Sequence, residues 1–187
     1  MKSSQTFRLS TIASSIAIQI FVTFFVIYAI TASGGLEAVD SEVRYQTAKS
    51  WLDGSGGALP PGQEHFGVPG RDGHHYSFYG PFQSALMTPV AAVVARSSRG
   101  SSDQLFKLVF GIVVIPIISA LSLAILFRAL RTLRFGERDA FLTVALIGLA
   151  TPMWHYGRSG EEENITALAF ALYLWGMGSS SRSASTA

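Results

Sequence analysis

The chain has 187 residues, of which 49% are hydrophobic and 14% are charged. Soluble domains carry about 25% charged residues, so this composition, with its long apolar runs, indicates an integral membrane protein. The formal net charge of +2 is too balanced to indicate a nucleic-acid binder, so we expect no nucleic-acid partner. The absence of cysteine excludes disulfides, cysteine-ligated metals and thiol nucleophiles.

The first apolar run covers residues 9–32 and is long enough to cross a bilayer as a helix. Lys2 and Arg8 precede it, and positive charge on this side predicts a cytoplasmic N-terminus. A cleaved signal peptide is the alternative, but no clean A-x-A cleavage site follows the run. We therefore expect residues 9–32 to form the first span.

Residues 33–81 are richer in polar and turn-forming residues, and residues 33–104 are predicted to form a large external loop. Within it, the spacing of apolar residues over 38–52 predicts a short amphipathic helix that ends at Asp53. The apolar stretch 82–95 is too short for a span and contains Pro89. We therefore expect an interfacial or re-entrant helix there.

Further spans are predicted near residues 105–127, 140–156 and 165–178. If 82–95 lies at the interface, one group of basic residues faces the cytoplasm, whereas a spanning 82–95 would put the four arginines of residues 128–138 outside. The positive-inside rule favours the first arrangement. The basic group that then faces the cytoplasm is Lys2, Arg8, Arg128, Arg131, Arg134, Arg138 and Arg182. The predicted fold is all-α: a polytopic transmembrane helical bundle of about four spans, whose external loop carries juxtamembrane helices. The expected location is the plasma or inner membrane.

Two acidic clusters fall on the external side of this topology. They are Glu37, Asp40 and Glu42 after the first span, and Glu161, Glu162 and Glu163 before the last. Carboxylates that flank one cleft at a membrane surface can serve as a base and as a substrate or metal ligand. The structural alternatives are that Asp40 caps the following helix and that the three glutamates complement the dipole of the last helix.

Three stretches occur in the order and topology of one enzyme family. DSEVRYQTAKSWL follows the first span, DGHHYSFYGPFQSALMTP precedes the interfacial helix and TPMWHYGRSGEEENITAL precedes the last span. Together they resemble the GT-C superfamily of membrane glycosyltransferases, which includes protein O-mannosyltransferases and lipid A aminoarabinose transferases. The resemblance covers most of residues 9–178. Because members of this family are much longer, it also implies that the chain is the N-terminal part of such an enzyme.

The resemblance implies transfer of a sugar from a polyprenyl-phosphate donor to a lipid, glycan or protein acceptor on the external side. It implies that Asp40 is the catalytic general base that removes the proton of the acceptor hydroxyl. It also implies donor-phosphate binding by an arginine, sugar stacking by a tyrosine and a second acidic role for Glu163 near the donor or a metal. The substrate-binding residues expected on this basis are Glu42, Arg44, Tyr45, Tyr76, Tyr79, Arg158 and Glu163.

Other interpretations of these residues stay open. Snorkelling at the interface is the alternative for the arginines, and interfacial anchoring is the alternative for the tyrosines. A divalent metal is a possible cofactor, because His65, His74 and His75 lie near Glu64 and Asp72, although loop histidines are usually unliganded. The main alternative function is a non-enzymatic small integral membrane protein that acts as an assembly partner. A metal-binding external loop is a second alternative.

Overall fold

The computed structural model describes residues 2–97 and 102–184, and helices make up most of it. They are α1 (Lys2–Thr31), α2 (Val39–Leu52), α3 (Pro81–Ser97), α4 (Ser102–Val109), α5 (Ile115–Thr132), α6 (Glu137–Ala150), α7 (Met153–Ser159) and α8 (Glu163–Ala184). A π-helical turn, Phe110–Val114, joins α4 to α5. The predicted all-α class is confirmed, apart from one small hairpin.

The hydrophobic core of the bundle lies around α5, which packs against α1, α6, α7 and α8. The buried face of α1 repeats at helical spacing and includes Phe24 and Tyr28, which pack with Leu123 and Phe127 of α5. Gly148 of α6 lets the helices approach closely, because a Cβ there would collide with Phe24. The hydroxyl of Tyr28 donates a hydrogen bond of 2.8 Å to the Gly148 carbonyl. These contacts fix α6 against α1.

A second layer is formed by α2 and α3, which pack on each other and on α4. Its centre is a column of aromatic rings. The Tyr45 ring stacks on Phe106 with centroids 4.0 Å apart, and Phe106 stacks on Phe110 at 5.4 Å. Met87 and Ala91 of α3 complete this cluster. The helix predicted over 38–52 is therefore confirmed as α2, and it packs on α3. Its predicted apolar side is not buried as a whole, because Val39 and Leu52 are exposed while Arg44 is buried.

The loop between α2 and α3 contains a hairpin that the sequence did not predict. Strands β1 (Gly67–Pro69) and β2 (His75–Ser77) pair in antiparallel register, with Val68 opposite Tyr76. Each strand has only three residues, which is too short for an alternating pattern to be recognised.

Helix boundaries differ from the prediction at the third apolar run. Instead of one helix over 140–156, α6 ends at Ala150 and α7 begins at Met153. The break follows from Pro152, because the residue before a proline is pushed out of helical geometry, and Thr151 is extended. Pro89, in contrast, is accommodated inside α3.

Among the described residues, one helix is both long and apolar enough to cross a membrane, namely Ser102–Thr132, which comprises α4, the π-helical turn and α5. Ser15–Thr31 of α1 is a shorter apolar helix. The last predicted span, 165–178, lies inside α8, which begins two residues earlier and extends six residues further.

Candidate functional site

The turn between α7 and α8 is bound to the start of α2 and the start of α3. Gly160 occupies the left-handed region with φ of 84°, a conformation that glycine adopts without steric penalty. Its carbonyl accepts hydrogen bonds from Ser41 Oγ at 3.0 Å and from Gln83 Nε2 at 2.7 Å. Ser41 and Gln83 are both buried, so this backbone oxygen joins three parts of the chain within the protein.

Arg44 links the two predicted acidic clusters. Its Nη1 lies 2.7 Å from Asp40 Oδ2, one turn earlier on α2, and its Nη2 lies 2.6 Å from Glu162 Oε2. The Arg44 side chain is only 2% exposed, whereas those of Asp40 and Glu162 are 31% and 45% exposed. A buried cation between two carboxylates that remain accessible fixes the position of both.

The remaining face of Arg44 is covered by an aromatic ring. The guanidinium carbon lies 4.7 Å from the centroid of the Tyr79 ring, which is a cation–π contact. Within the described residues, Arg44 Nε and Gln83 Oε1 are buried without a hydrogen-bond partner. We call Asp40, Arg44, Tyr79 and Glu162 the Arg44 cluster.

Asp40 does not cap α2. The N-cap position belongs to Ala38, which makes no side-chain cap hydrogen bond. Asp40 lies in the first turn, and its Oδ1 accepts a hydrogen bond from the backbone N–H of Ser41 at 2.9 Å. The capping alternative is therefore wrong, and both oxygens of the carboxylate are held by donors.

A second polar group lies further along α2 and connects it to α4. Glu42 pairs with Lys107 at 2.8 Å, and Tyr45 donates a hydrogen bond to Asp103 at 2.9 Å. Lys49 also pairs with Asp103. Burial, together with the hydrogen bond to Asp103, raises the pKa of the Tyr45 hydroxyl well above its ordinary value. Tyr45 and Glu42 are thus tied to α4 and lie outside the Arg44 cluster.

Asn164 fixes the start of α8. Its Oδ1 accepts a hydrogen bond from Ser119 of α5, and its Nδ2 donates to the carbonyls of Tyr156 and Glu161. The side chain is fully buried, which is incompatible with use of the Asn164-Ile165-Thr166 sequon as a glycan acceptor in this fold. Asn164 therefore positions the turn that carries Glu162.

Arg158 lies at the junction of α7 with the end of α1. Its Nη1 donates to the Thr31 carbonyl at 3.3 Å, and its side chain is half-buried. No acidic partner of Arg158 occurs among the described residues. The cation is thus held near the end of α1 without a carboxylate to neutralise it.

The hairpin holds a separate polar surface. Tyr76 donates a 2.6 Å hydrogen bond to Asp72, which lowers the pKa of the Asp72 carboxyl. A cavity of about 570 Å³ lies between the hairpin and α2, and its lining includes Lys49, His74 and His75. In the described part of the chain, no three histidine or acidic side chains come close enough together to hold a metal ion.

The expected site residues thus divide into groups. Asp40, Arg44 and Tyr79 come together, while Tyr76 belongs to the hairpin. Glu163 is exposed at the first position of α8, and its neighbour Glu162 makes the contact with Arg44.

Four residues that hold the site together are not among the site residues predicted from the sequence, namely Ser41, Gln83, Gly160 and Asn164. A polar residue inside an apolar stretch, as Gln83 is in α3, is the one available signal for such a buried contact.

Comparison with known proteins finds no match. No protein-family model, no curated protein and no solved structure aligns significantly with this chain.

Proposed function

We propose that the chain is a polytopic membrane protein in which α1, α4 with α5, α6 and α8 cross the bilayer. The contacts at the two ends of the bundle support this. Arg158 reaches the Thr31 carbonyl, so α7 and α1 end at the same side. Gly178 of α8 packs against Thr132 at the end of α5, which is the opposite side. α1, α5 and α8 therefore run between the same two ends of the bundle.

Exposed apolar side chains on the outside of the bundle also support insertion in a bilayer. On α1, one stripe at helical spacing consists of Ile18, Val22, Val26 and Ile30, which are 48–77% exposed. Comparable residues on α6 and α8 are Phe141, Leu142, Leu146, Leu149, Phe170, Leu172, Tyr173 and Met177. Apolar surface of this extent suits lipid better than water. With a rise of about 21 Å, α6 is the shortest of the four, and the break at Thr151 lies at the outer interface in this proposal.

The charge at the two ends of the bundle supports one orientation in the membrane. Arg128, Arg131, Arg134 and Arg138 lie at or near the turn between α5 and α6, whereas the Arg44 cluster lies at the other end. The positive-inside rule then places the arginines in the cytoplasm and Asp40 outside.

Within this frame, we propose that the chain acts as a glycosyltransferase of the GT-C type, as its sequence motifs suggest. The single observation that carries the proposal is the Arg44 bridge. The Arg44 guanidinium lies 2.7 Å from Asp40 Oδ2 and fixes the position of this side chain, which is still 31% exposed, at the proposed external end. A general base needs both properties, namely a fixed position and access to the substrate proton.

In the proposed reaction, Asp40 accepts the proton of the acceptor hydroxyl. The acceptor oxygen forms a bond to the anomeric carbon of the donor while the bond from that carbon to the phosphate oxygen breaks, so polyprenyl phosphate leaves. Arg44 is a positioning residue in this scheme, because its guanidinium already bonds two carboxylates and is buried. Arg158, which faces no carboxylate among the described residues, is the better candidate for the donor phosphate. Glu162 takes the second acidic role expected of Glu163.

A transfer assay in membranes tests this proposal. Membranes that contain the chain are supplied with radiolabelled undecaprenyl-phosphate mannose as the probe, and release of label from this donor is followed. Asp40→Asn is expected to lower the rate at least about 100-fold, because general-base catalysis contributes about that much or more. Asp139→Asn, the same substitution on an exposed residue at the other end, is the matched control and should leave the rate unchanged. Equal rates for the two variants, or no release by the unaltered chain, would contradict the proposal.

A further inference from the structure

The turn that ends α5 contains a strained arginine. Arg134 has φ of 72°, the one positive φ of a non-glycine residue in the described part of the chain. The turn is closed by backbone hydrogen bonds from Phe135 N–H to the Leu130 carbonyl and from Leu133 N–H to the Ala129 carbonyl. Arg134 thus occupies the position after the helix end where glycine is the favoured residue.

An arginine at this position is locally unfavourable, because its Cβ crowds the backbone in the left-handed region. Glycine is present nearby, but as Gly136, two residues too late to relieve the strain. Arg131 holds the turn closed by donating from Nη1 to the Phe135 carbonyl at 2.6 Å. Strained residues that are held in place by their surroundings cluster at functional sites.

Arg134 is surrounded by exposed apolar and basic side chains. Leu133 and Phe135, on either side of it, are 43% and 49% exposed. Arg128 and Arg138 are also exposed, and the guanidinium of Arg128 lies 5.1 Å from the Trp175 ring centroid. The nearby acids, Glu137 and Asp139, lie in the first turn of α6, so the segment 128–139 keeps a net positive charge.

We propose that this turn binds the phosphate headgroups of anionic phospholipids in the cytoplasmic leaflet. Leu133 and Phe135 insert among the headgroups and the upper acyl chains, and Arg128, Arg134 and Arg138 bind the phosphates. The apolar pair favours a lipid surface over a soluble anion, because such an anion would leave Leu133 and Phe135 in water. The inference rests on the membrane placement proposed above, but not on the glycosyltransferase activity.

Trp175 offers a local reporter of lipid contacts. The variant with Trp51→Phe and Trp154→Phe keeps Trp175 beside Arg128. It is reconstituted in phosphatidylcholine vesicles to which brominated phosphatidylglycerol or brominated phosphatidylcholine is added, and quenching of Trp175 is compared. We expect brominated phosphatidylglycerol to compete for the site more strongly, and the preference to weaken in 0.5 M NaCl because salt screens the headgroup charge.

Variants of Arg134 separate lipid binding from a structural role. Arg134→Gly is expected to weaken the preference for phosphatidylglycerol about fivefold, roughly the effect of one arginine at an anionic surface, while leaving thermal unfolding unchanged or raising its midpoint. Arg134→Gln should weaken the preference equally without relief of the strain. Arg71→Gln removes an exposed arginine from the hairpin end and is the matched control, so it should not change the preference.

Each other outcome overturns the inference. If the reconstituted protein shows equal quenching by both brominated lipids, or if Arg134→Gly keeps the preference, the turn does not bind anionic headgroups. If alkaline carbonate releases the chain from the vesicles, the membrane placement fails, and the inference fails with it. A lack of transferase activity alone would contradict neither the binding of anionic headgroups nor the membrane placement.

Discussion

The two ends of the helical bundle hold charge in opposite ways. At the Asp40 end, a 2% exposed arginine is bonded to two carboxylates and covered by an aromatic ring. At the Arg134 end, arginines project from a strained turn beside exposed apolar residues. Buried, bonded charge fixes geometry, whereas exposed charge is available to an external partner. The comparison predicts that substitutions at the first end lower stability, while substitutions at the second alter binding.

The largest effect is expected for Arg44→Met. Loss of the guanidinium leaves Asp40 and Glu162 close together without a cation, and it also removes the contact with Tyr79. Because both carboxylates are partly exposed, we expect a loss of about 2–3 kcal/mol, below the full cost for a buried pair. The midpoint of thermal unfolding in detergent is the measurement, and Arg71→Met is the control. Equal midpoints for the two variants would mean that Arg44 does not organise this end.

A smaller loss is expected for Gly160→Ala. The substitution strains a left-handed residue and brings the new Cβ to 3.3 Å from Leu36, so it disturbs the carbonyl that Ser41 and Gln83 share. We expect a loss of about 1–2 kcal/mol. Gly54→Ala is a matched control with φ of 87° and no atom within 4 Å, so it reports the backbone strain alone. If the Gly160→Ala and Gly54→Ala variants are equally stable, the contacts around Gly160 contribute nothing beyond the backbone strain.

Adjacent glutamates give a sharper test. Glu162→Gln removes a 2.6 Å ion pair with Arg44, and we expect a loss of about 1 kcal/mol because the partner is buried. Glu163→Gln changes an exposed residue at the helix start and should cost under about 0.5 kcal/mol. Chemical denaturation of both variants in the same detergent gives the difference. A larger loss for Glu163→Gln than for Glu162→Gln would mean that Glu163, and not Glu162, makes the stabilising contact.

The smallest effect, of opposite sign, is expected for Arg134→Gly. Relief of the left-handed strain should raise stability by about 0.5 kcal/mol, because no folded contact of comparable value is lost. Arg134→Ala keeps the strain, and it should not stabilise the fold. Destabilisation by Arg134→Gly would show that the arginine supports the fold, and the contrast between the two ends would disappear.

The sequence predicts the elements of this fold better than their contacts. The helix over 38–52 and the long apolar helix after residue 104 follow from periodicity and length, and the structure confirms them as α2 and Ser102–Thr132. The hairpin was missed because its strands have three residues each. The break at Thr151 was missed although Pro152 is a breaker, because the apolar run continues across it.

Site contacts were predictable only in outline. The sequence placed both acidic clusters at one end, and the structure brings Asp40 and Glu162 to the same arginine. Which glutamate makes the contact depends on the turn at Gly160, whose left-handed geometry a sequence pattern does not specify. Of the polar residues that secure the turn, Asn164 looks like an ordinary helix residue in the sequence, and Gln83 differs only in being a polar residue inside an apolar stretch.

The most direct test is to locate the two ends of the bundle relative to the membrane. The chain has no cysteine, so single cysteines introduced as Ser55→Cys, in the loop that follows α2, and Glu137→Cys, near Arg134, are unique labels on exposed positions. Spheroplasts are treated with a membrane-impermeant maleimide before and after permeabilisation. The account predicts that Ser55→Cys is labelled in intact spheroplasts and that Glu137→Cys is labelled only after permeabilisation. Labelling of both positions in intact spheroplasts, or of Glu137→Cys alone, would contradict it.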